Sequence, residues 1–510
     1  MSNTKRIAKN TVVLYIRTIA ITVITLYTSR VVLKALGFED YGIYNVVGGV
    51  VALMSFLRNS MSESTQRFLS YEMGKGNNDN LKNVFSVCLT SHFLIAVILL
   101  VIAETVGLWF LNYKINISEG REIATNWIYQ FSVISLCIGI ISVPYNADII
   151  SHEKMGYFAF LGILDAVLKL AFSLIITVVP FDKLVVYGLL MMLVPIVNFL
   201  LCLGYCRKKY TETHYHFYRD KEMFKRIFSF SGWTIWGQLA VVGSNQGTGV
   251  LVNIFHSVTA NAALGIGHQV NHAVNGLITN FQTAFKPQIT KSYAAGDYKY
   301  LTTLTNYASK ISFYLFFIVS LPLLLNIDFI LDIWLDKVPQ YANYFCIIFF
   351  VASAFNAMSA PLYMNIFSTG KIKHYQIAVS IAYITELLFI YLIYKLGYSV
   401  VTGVALKAVL NFVVIFIRLV YAHREVECFS SVDYLKNVFL PLVISVILTL
   451  FLSYVVFLFA HNSWQQIVAT FIAFVSSLIA AYFIGLNKKE RLSVNNLVDK
   501  YLINKIHKRC

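Results

Sequence analysis

Apolar runs of about twenty residues recur from one end of the chain to the other, each long enough to cross ~30 Å of hydrocarbon. Their boundaries predict fourteen helical spans, at about 10–33, 41–66, 85–110, 123–146, 157–179, 183–205, 228–255, 262–285, 310–333, 341–366, 376–395, 399–421, 438–460 and 464–486. The second, seventh and eighth are unusually polar for spans. The second begins as an apolar, glycine-containing helix at Tyr41. From Arg58 it carries Asn59, Ser60, Ser62, Glu63, Ser64, Thr65, Gln66 and Arg67. A helix facing lipid cannot hold that load, because each charge at bilayer depth is costly. It is therefore expected to face a water-filled or protein-lined cavity whose wall is the rest of the chain.

Composition agrees with this pattern. Of 510 residues, 58% are hydrophobic and 13% charged, far more apolar than a soluble domain. The chain reads as an all-α, polytopic integral membrane protein. The formal charge is +16. In a soluble protein that would suggest nucleic acid, but here orientation explains it and no nucleic-acid partner is expected. With both termini inside, 29 of the 41 Lys and Arg residues fall in inside segments and 6 in outside loops, the asymmetry expected of cytoplasmic loops. The seven cysteines lie mostly within apolar runs and read as small apolar residues. Lys5, Arg6 and Lys9 precede the first apolar segment as in a signal peptide. That segment is too long, holds Arg17 and Arg30, and lacks a small-residue cleavage site, so it is expected to remain as the first span.

The outside loops are short. The longest inside segment, CRKKYTETHYHFYRDKEMFKRIF, is basic and aromatic and is expected on the membrane surface. The tail places Leu497, Val498, Tyr501, Leu502 and Lys505 at helical spacing, the pattern of a basic amphipathic helix on anionic lipid.

The organising stretch has a weaker second copy from Leu264 to Asp297. Gly42-Ile43 corresponds to Gly265-Ile266, and after a one-residue slip Gln66 matches Gln288, Ser70-Tyr71 matches Ser292-Tyr293 and Gly74 matches Gly296. Spans 2 and 8 run in the same direction, so the repeat is parallel, with an axis along the membrane normal and a site at the interface of the halves. The expected organisation is an N-terminal six-helix bundle (1–206), a cytoplasmic basic linker (207–227), a C-terminal six-helix bundle (228–421) related to the first by a pseudo-two-fold, two extra spans (422–486) and the cytoplasmic tail (487–510).

The stretches TSRVVLKALGFEDYGIYNVVGGVVALMSF, STQRFLSYEMGKG and AAGD, with the fourteen-span plan, resemble the polysaccharide-exporting branch of the multidrug, oligosaccharidyl-lipid and polysaccharide exporter superfamily. Within it the chain looks like the O-antigen or capsule-repeat flippases of bacterial inner membranes. The resemblance implies alternating-access movement of an undecaprenyl-diphosphate-linked oligosaccharide from inner to outer leaflet, without covalent chemistry or cofactor. Membrane lipids, H⁺ or Na⁺, and polysaccharide polymerase machinery are the partners it implies. A cation-coupled multidrug exporter of the same superfamily is the alternative. A membrane polymerase or ligase is disfavoured, because no outside loop is long enough to carry catalytic residues.

A flippase must hold a diphosphate on fixed cations and sugars on neutral donors, acceptors and aromatic faces. Arg17 and Arg58 lie at similar depth in the inner third of the membrane. They are the expected diphosphate ligands, since guanidinium forks match phosphate oxygens. Arg30 near the outside end and Lys286 near the inside mouth are further candidates. Arg58 pairing with Glu63, or headgroup contact, is the competing reading. Spans 7 and 8 offer Trp233, Trp236, Gln238, Asn245, Gln246, His268, Asn271, His272 and Asn275 for sugar. These groups would alternatively bond helix to helix. His268 and His272 share one helical face, but without a carboxylate they make a poor metal site, so cavity lining is expected. Asp165 and Glu386 are candidates for ion coupling. Against this, Asp165 has Lys169 at i+4 and Glu386 has Lys407 near the same depth.

Overall fold

The computed structural model describes residues 3–52, 55–114, 120–335, 337–458, 463–488, 490–492 and 495. The chain is all-helical: 89% is helix, with no strand among the described residues. Helices dominate because an apolar segment in lipid must satisfy every backbone N–H and C=O within itself. Eleven helices are long and apolar enough to cross a membrane. They match the predicted spans except the second, seventh and eighth. Helices also form at those three positions among the described residues; the seventh and eighth are too polar to qualify by composition, and the second is interrupted at residues 53–54, which lie outside the described ones, so the count of fourteen rests on the sequence pattern alone.

The chain divides into two compact units, Ala8–Gln238 and Leu239–Cys510 together with Met1–Ile7. The first contains most of α1 (Asn3–Ala52), α2 (Ser55–Lys75), α3 (Asn78–Ile102), α4 (Leu108–Lys114), α5 (Glu122–Ile141), α6 (Val143–Ser151), α7 (Met155–Ile175) and α8 (Lys183–Lys209). The boundary falls within α9 (Lys221–Phe255). The second unit holds α10 (Val258–Ala294), α11 (Tyr298–Leu325), α12 (Ile327–Trp334), α13 (Ala342–Thr369), α14 (Lys373–Lys395), α15 (Val400–Glu425), α16 (Ser431–Tyr434), α17 (Leu440–Leu458) and α18 (Ser463–Ala480). The predicted tail helix from Leu497 to Lys505 lies outside the described residues.

Within α1, Gly37 is non-helical (φ 78°, ψ 175°), a conformation that only glycine adopts without strain, and it separates the first span from the second. The repeat is clear in the turns that follow α2 and α10. Gly76 and Gly296 both adopt positive φ (69° and 74°). In each turn the glycine N–H bonds back three residues and the next N–H bonds back five, Asn77 to Glu72 and Asp297 to Ser292. These are Schellman closures. Asn77 and Asp297 then cap α3 and α11 by accepting from the N–H three residues on, at Asn80 and Tyr300. The turn therefore equates Gly76, not Gly74, with Gly296. The second copy is two residues shorter just before the turn.

In the N-terminal unit one core gathers Leu69, Phe85, Cys88, Tyr145 and Ile149; another gathers Val47, Leu111, Ile128, Tyr129 and Leu184. At one end Arg121 clasps three segments. Its Nε donates to Asp40 at 2.8 Å and its Nη1 to Asp182 at 2.6 Å. Burial pushes the Asp182 carboxyl up, but Arg121 and the N–H groups of Val185 and Leu184 hold it below its usual value. At the other end the segment after α8 folds back on the unit. The Tyr210 ring stacks on His152 at 3.9 Å, and His216 meets Ser86 at 3.0 Å and Asn83 at 2.9 Å.

In the C-terminal unit α13 is the central helix, packed by α10, α11 and α15. α17 and α18 pair through small buried residues four apart, Ser445, Thr449 and Ser453 on one and Ala469, Ala473 and Ser477 on the other. Small residues allow close approach where no hydrophobic force operates between helices. Gly267 has the same use on α10. A Cβ there would lie 3.0 Å from Phe345 and Phe349. Gly267→Val is therefore expected to lower the stability of the detergent-purified protein by about 1–3 kcal/mol, as overpacking does, read as a fall in its thermal unfolding midpoint. Gly276→Ala, where a Cβ meets nothing within 4 Å, is the control and leaves the midpoint unchanged or higher.

Candidate functional site

Each unit encloses a polar cavity of its own. The larger, about 620 Å³, lies inside the N-terminal unit. Its wall takes Arg17 from α1, Arg58 from α2, Ser132, Ser135 and Gly139 from α5, Asn146 from α6, Asp165 and Lys169 from α7, and Asn198 from α8. Small residues make room for the large cations. A Cβ at Gly162 would overlap the Arg17 guanidinium, and one at Gly139 would lie 3.5 Å from Arg58 Nη1. The Arg17 guanidinium also sits 4.7 Å over the Phe158 ring, a cation–π contact that holds it without neutralising it.

The charges in this cavity do not cancel. Lys169 Nζ is 2.8 Å from Asp165 Oδ2, and Asn198 donates to the other Asp165 oxygen at 3.0 Å. That acid is therefore matched by its own lysine. Among the described residues neither Arg17 nor Arg58 makes an ion pair. The pairing of Arg58 with Glu63 that their spacing allows is not formed. Arg17 Nε is buried with no hydrogen-bond partner, while the Arg58 side chain is exposed to the cavity. Three basic groups face one acid, leaving two positive charges, so the cavity suits an anion with several acceptor oxygens.

The smaller cavity, about 170 Å³, lies in the C-terminal unit, lined by Asn245, His268, Asn271, Ser353, Asn356, Tyr383, Glu386, Lys407 and Asn411 among others. Its polar groups are bonded to one another. Lys407 Nζ stands 3.5 Å from Glu386 Oε1, 3.3 Å from Ser244 Oγ and 3.2 Å from Asn245 Oδ1, and Ser244 donates to Glu386 Oε2 at 2.6 Å. Asn275 donates to Ser353 and Ser353 to Asn271, both at 2.9 Å. The His268 ring stacks on Phe349 at 4.2 Å.

Of the expected ligands, Arg17, Arg58 and Asp165 come together in one cavity, and Asn245, His268, Asn271 and Glu386 in the other. Arg30 is exposed and lines neither. Lys286 lies in the C-terminal unit with its ammonium 4.9 Å over the Phe367 ring. Trp233, Trp236 and Gln238 belong to the N-terminal unit, whereas Gln246 and His272 are exposed residues of the C-terminal one. Asn275 is committed to the Ser353 bridge. Sequence reasoning overlooked Asn198, which nothing marks as special, and Arg418. Arg418 on α15 donates to Tyr375 at 3.2 Å, Asn356 at 3.0 Å and Ser359 at 2.7 Å. Its signal was present, since an arginine in an apolar span is a functional candidate by default.

Among the described residues one cluster has metal-ligand composition: Asp148, His152 and Glu212, with ligand atoms within 4.8 Å of one another. His152 Nε2 already sits 2.7 Å from Glu212 and 3.8 Å from Asp148. Burial pushes the Glu212 carboxyl up, but the bond from His152 holds it below its usual value. The three groups latch the segment after α8 to α6.

With this geometry in hand, the comparisons with known proteins decide the family. The family model for polysaccharide biosynthesis proteins matches residues 7–293, more than half of the chain. The chain belongs to that family. Solved structures with a similar fold include an outward-facing multidrug-resistance MATE-family transporter of the MOP superfamily, at 15% identity over 84% of this chain and 96% of that one, TM-score 0.71. A MATE transporter of Vibrio cholerae matches at 14% identity over 84% of this chain and 98% of that one, TM-score 0.68. A MOP-superfamily transporter of Pyrococcus furiosus, described by the reverse polarity of its binding pocket, matches at 14% identity over 84% and 96%, TM-score 0.68. No curated protein matches. This polysaccharide biosynthesis family member is thus a multi-pass membrane protein with the fold of MOP-superfamily transporters.

The Glu386–Lys407 pair gives a direct test of how charge is tolerated here. Removing one partner of a buried pair leaves the other uncompensated and costs about 3–5 kcal/mol. Lys407→Met is expected to lower the thermal unfolding midpoint of the purified protein sharply. Adding Glu386→Gln to it should restore most of the loss, since the double variant buries no charge. A double variant as unstable as the single one would show that the pair does not act as a unit.

Proposed function

We propose that this chain is an alternating-access flippase that moves an undecaprenyl-diphosphate-linked oligosaccharide, an O-antigen, capsule or exopolysaccharide repeat, from the inner to the outer leaflet of a bacterial inner membrane. Both termini are cytoplasmic in this reading, and the two bundles rock about the 207–227 linker. The observation that carries it is the N-terminal cavity with its surplus of positive charge. Arg17 and Arg58 bind the diphosphate, because they converge on one cavity and neither is spent on a carboxylate. The family's tie to polysaccharide biosynthesis supports a glycan cargo.

The sugar is assigned to the polar residues of spans 7 and 8, of which Trp236, Gln246 and His272 stay exposed. Asn245, Asn271 and Asn275 are at least partly engaged in helix-to-helix bonds. The solved structures of like fold include multidrug transporters, which keeps the drug-exporter alternative in view. A cation-binding exporter calls for an acidic cavity, and the basic one speaks against it. Breaking no covalent bond, the chain needs no catalytic group.

The test is made in a cell that lacks its own flippase but carries the matching glycan pathway. At equal membrane abundance the intact chain is expected to restore surface polysaccharide. Losing a charge-assisted hydrogen bond costs about 1.5–3 kcal/mol, so Arg58→Ala and Arg17→Ala should each lower it by roughly ten- to a hundredfold. Arg58→Lys, which keeps charge but loses the fork, should fall between, and Arg30→Ala should stay near the intact chain. Full rescue by Arg58→Ala would remove that arginine from the site; no rescue by the intact chain in any glycan pathway would favour the drug-exporter reading.

A further inference from the structure

Three carboxylates lie well inside identified spans: Asp165, Glu386 and Glu104. The first two are matched by Lys169 and Lys407. Glu104 is not. It makes no ion pair among the described residues, and one hydrogen bond reaches it, from Gln130 Nε2 to Glu104 Oε2 at 3.0 Å. The other oxygen, Oε1, is buried with no partner. Apolar side chains remain exposed two and six residues further along, Val106 at 60% and Phe110 at 42%, and the apolar span runs on to Tyr113, which keeps Glu104 within the lipid-facing band rather than at its edge.

The backbone is built to place it there. Residues Ala103–Gly107 form a π-helical turn between α3 and α4, a distortion that inserts a residue and re-aims the side chains beside it. The turn is supported from α5. Tyr129 Oη donates to the Ala103 carbonyl at 2.8 Å, and Gly107 is required because a Cβ there would overlap that hydroxyl. Thr105 Oγ1 donates to the Val101 carbonyl at 2.7 Å. Two carbonyls at the irregular turn, those of Ala103 and Val101, thus each accept a side-chain hydroxyl.

We infer that Glu104 is a proton-binding carboxyl of the N-terminal unit. An unpaired carboxylate in hydrocarbon is costly, and a neutral carboxyl hydrogen-bonded to an amide is not. A proton fits better than a metal cation, since a hard cation needs several oxygens and, among the described residues, no second carboxylate or histidine joins Glu104 in a metal-binding group. The groups that face Glu104 from α5 are Gln130, Tyr129 and Cys137, and Thr105 shares its own turn; none is basic. The step is an exchange of one proton with water, with no other bond made or broken. What that proton drives rests on the flippase reading; the proton site itself does not.

Infrared spectroscopy of the full chain in lipid nanodiscs, titrated between acid and alkaline buffers without substrate, tests this. The wild type is expected to show one titrating protonated-carboxyl band at higher frequency than those of solvated carboxyls. Glu104→Gln should abolish it, while Asp165→Asn and Glu386→Gln leave it in place. Gln130→Leu, which removes the hydrogen bond but keeps the carboxyl, should shift its frequency, a readout that holds even if Glu104→Gln folds poorly. Absence of the band in the wild type, its survival in Glu104→Gln, or its loss in Asp165→Asn would overturn the assignment. Failure of the flippase reading would leave all of these spectra as expected.

Discussion

A charge inside the membrane must meet an opposite charge, a set of hydrogen-bond partners, or water, and the polar anatomy of this protein follows from which of these each group meets. Asp165 and Glu386 meet lysines and neutral donors. Arg418 meets a tyrosine, an asparagine and a serine. Among the described residues Arg17 and Arg58 pair with no acid, and both line a cavity. The two cavities differ for this reason. The C-terminal one is lined by groups whose valences are largely spent on each other; the N-terminal one keeps two guanidiniums available.

Glycine and serine make that availability possible. An arginine needs volume as well as water, and the N-terminal cavity obtains it by omitting a side chain at Gly162, where a Cβ would overlap the Arg17 guanidinium, by placing Gly139 where a Cβ would only touch Arg58, and by setting Ser132 and Ser135 on the same wall. A larger residue at Gly162 would have to displace the Arg17 guanidinium.

Eleven of the fourteen predicted spans are apolar enough to cross a membrane by composition, because lipid contact is averaged over a whole helix face and tolerates exchange of one apolar residue for another. Spans 7 and 8 fall short through their polar residues, and span 2 is interrupted by residues 53–54, which lie outside the described ones. The Glu386–Lys407 pairing was legible because two lone charges in separate spans at similar depth have few other partners. The Asn198–Asp165 and Gln130–Glu104 bonds were not, since an amide in a span carries no charge to announce itself. The repeat was legible in identity at Ser70-Tyr71 and Ser292-Tyr293. Its register at the turn was not, because the Schellman closure depends on a left-handed glycine two residues further on, at Gly76, and on the cap that follows.

Size bears on what the N-terminal cavity holds. At about 620 Å³ it matches an ordinary small-ligand pocket, commonly about 300–1,000 Å³. That is room for a diphosphate head and its nearest groups rather than for a multi-sugar repeat. Within the flippase reading the division of labour follows: fixed cations handle the charged part of the cargo inside one bundle, and the neutral glycan is left to surfaces that hydrogen-bond without charge. The exposed Trp236, Gln246 and His272 have that chemistry. A site so divided needs to recognise only the diphosphate strictly, and glycans of different composition can then share one carrier-binding cavity.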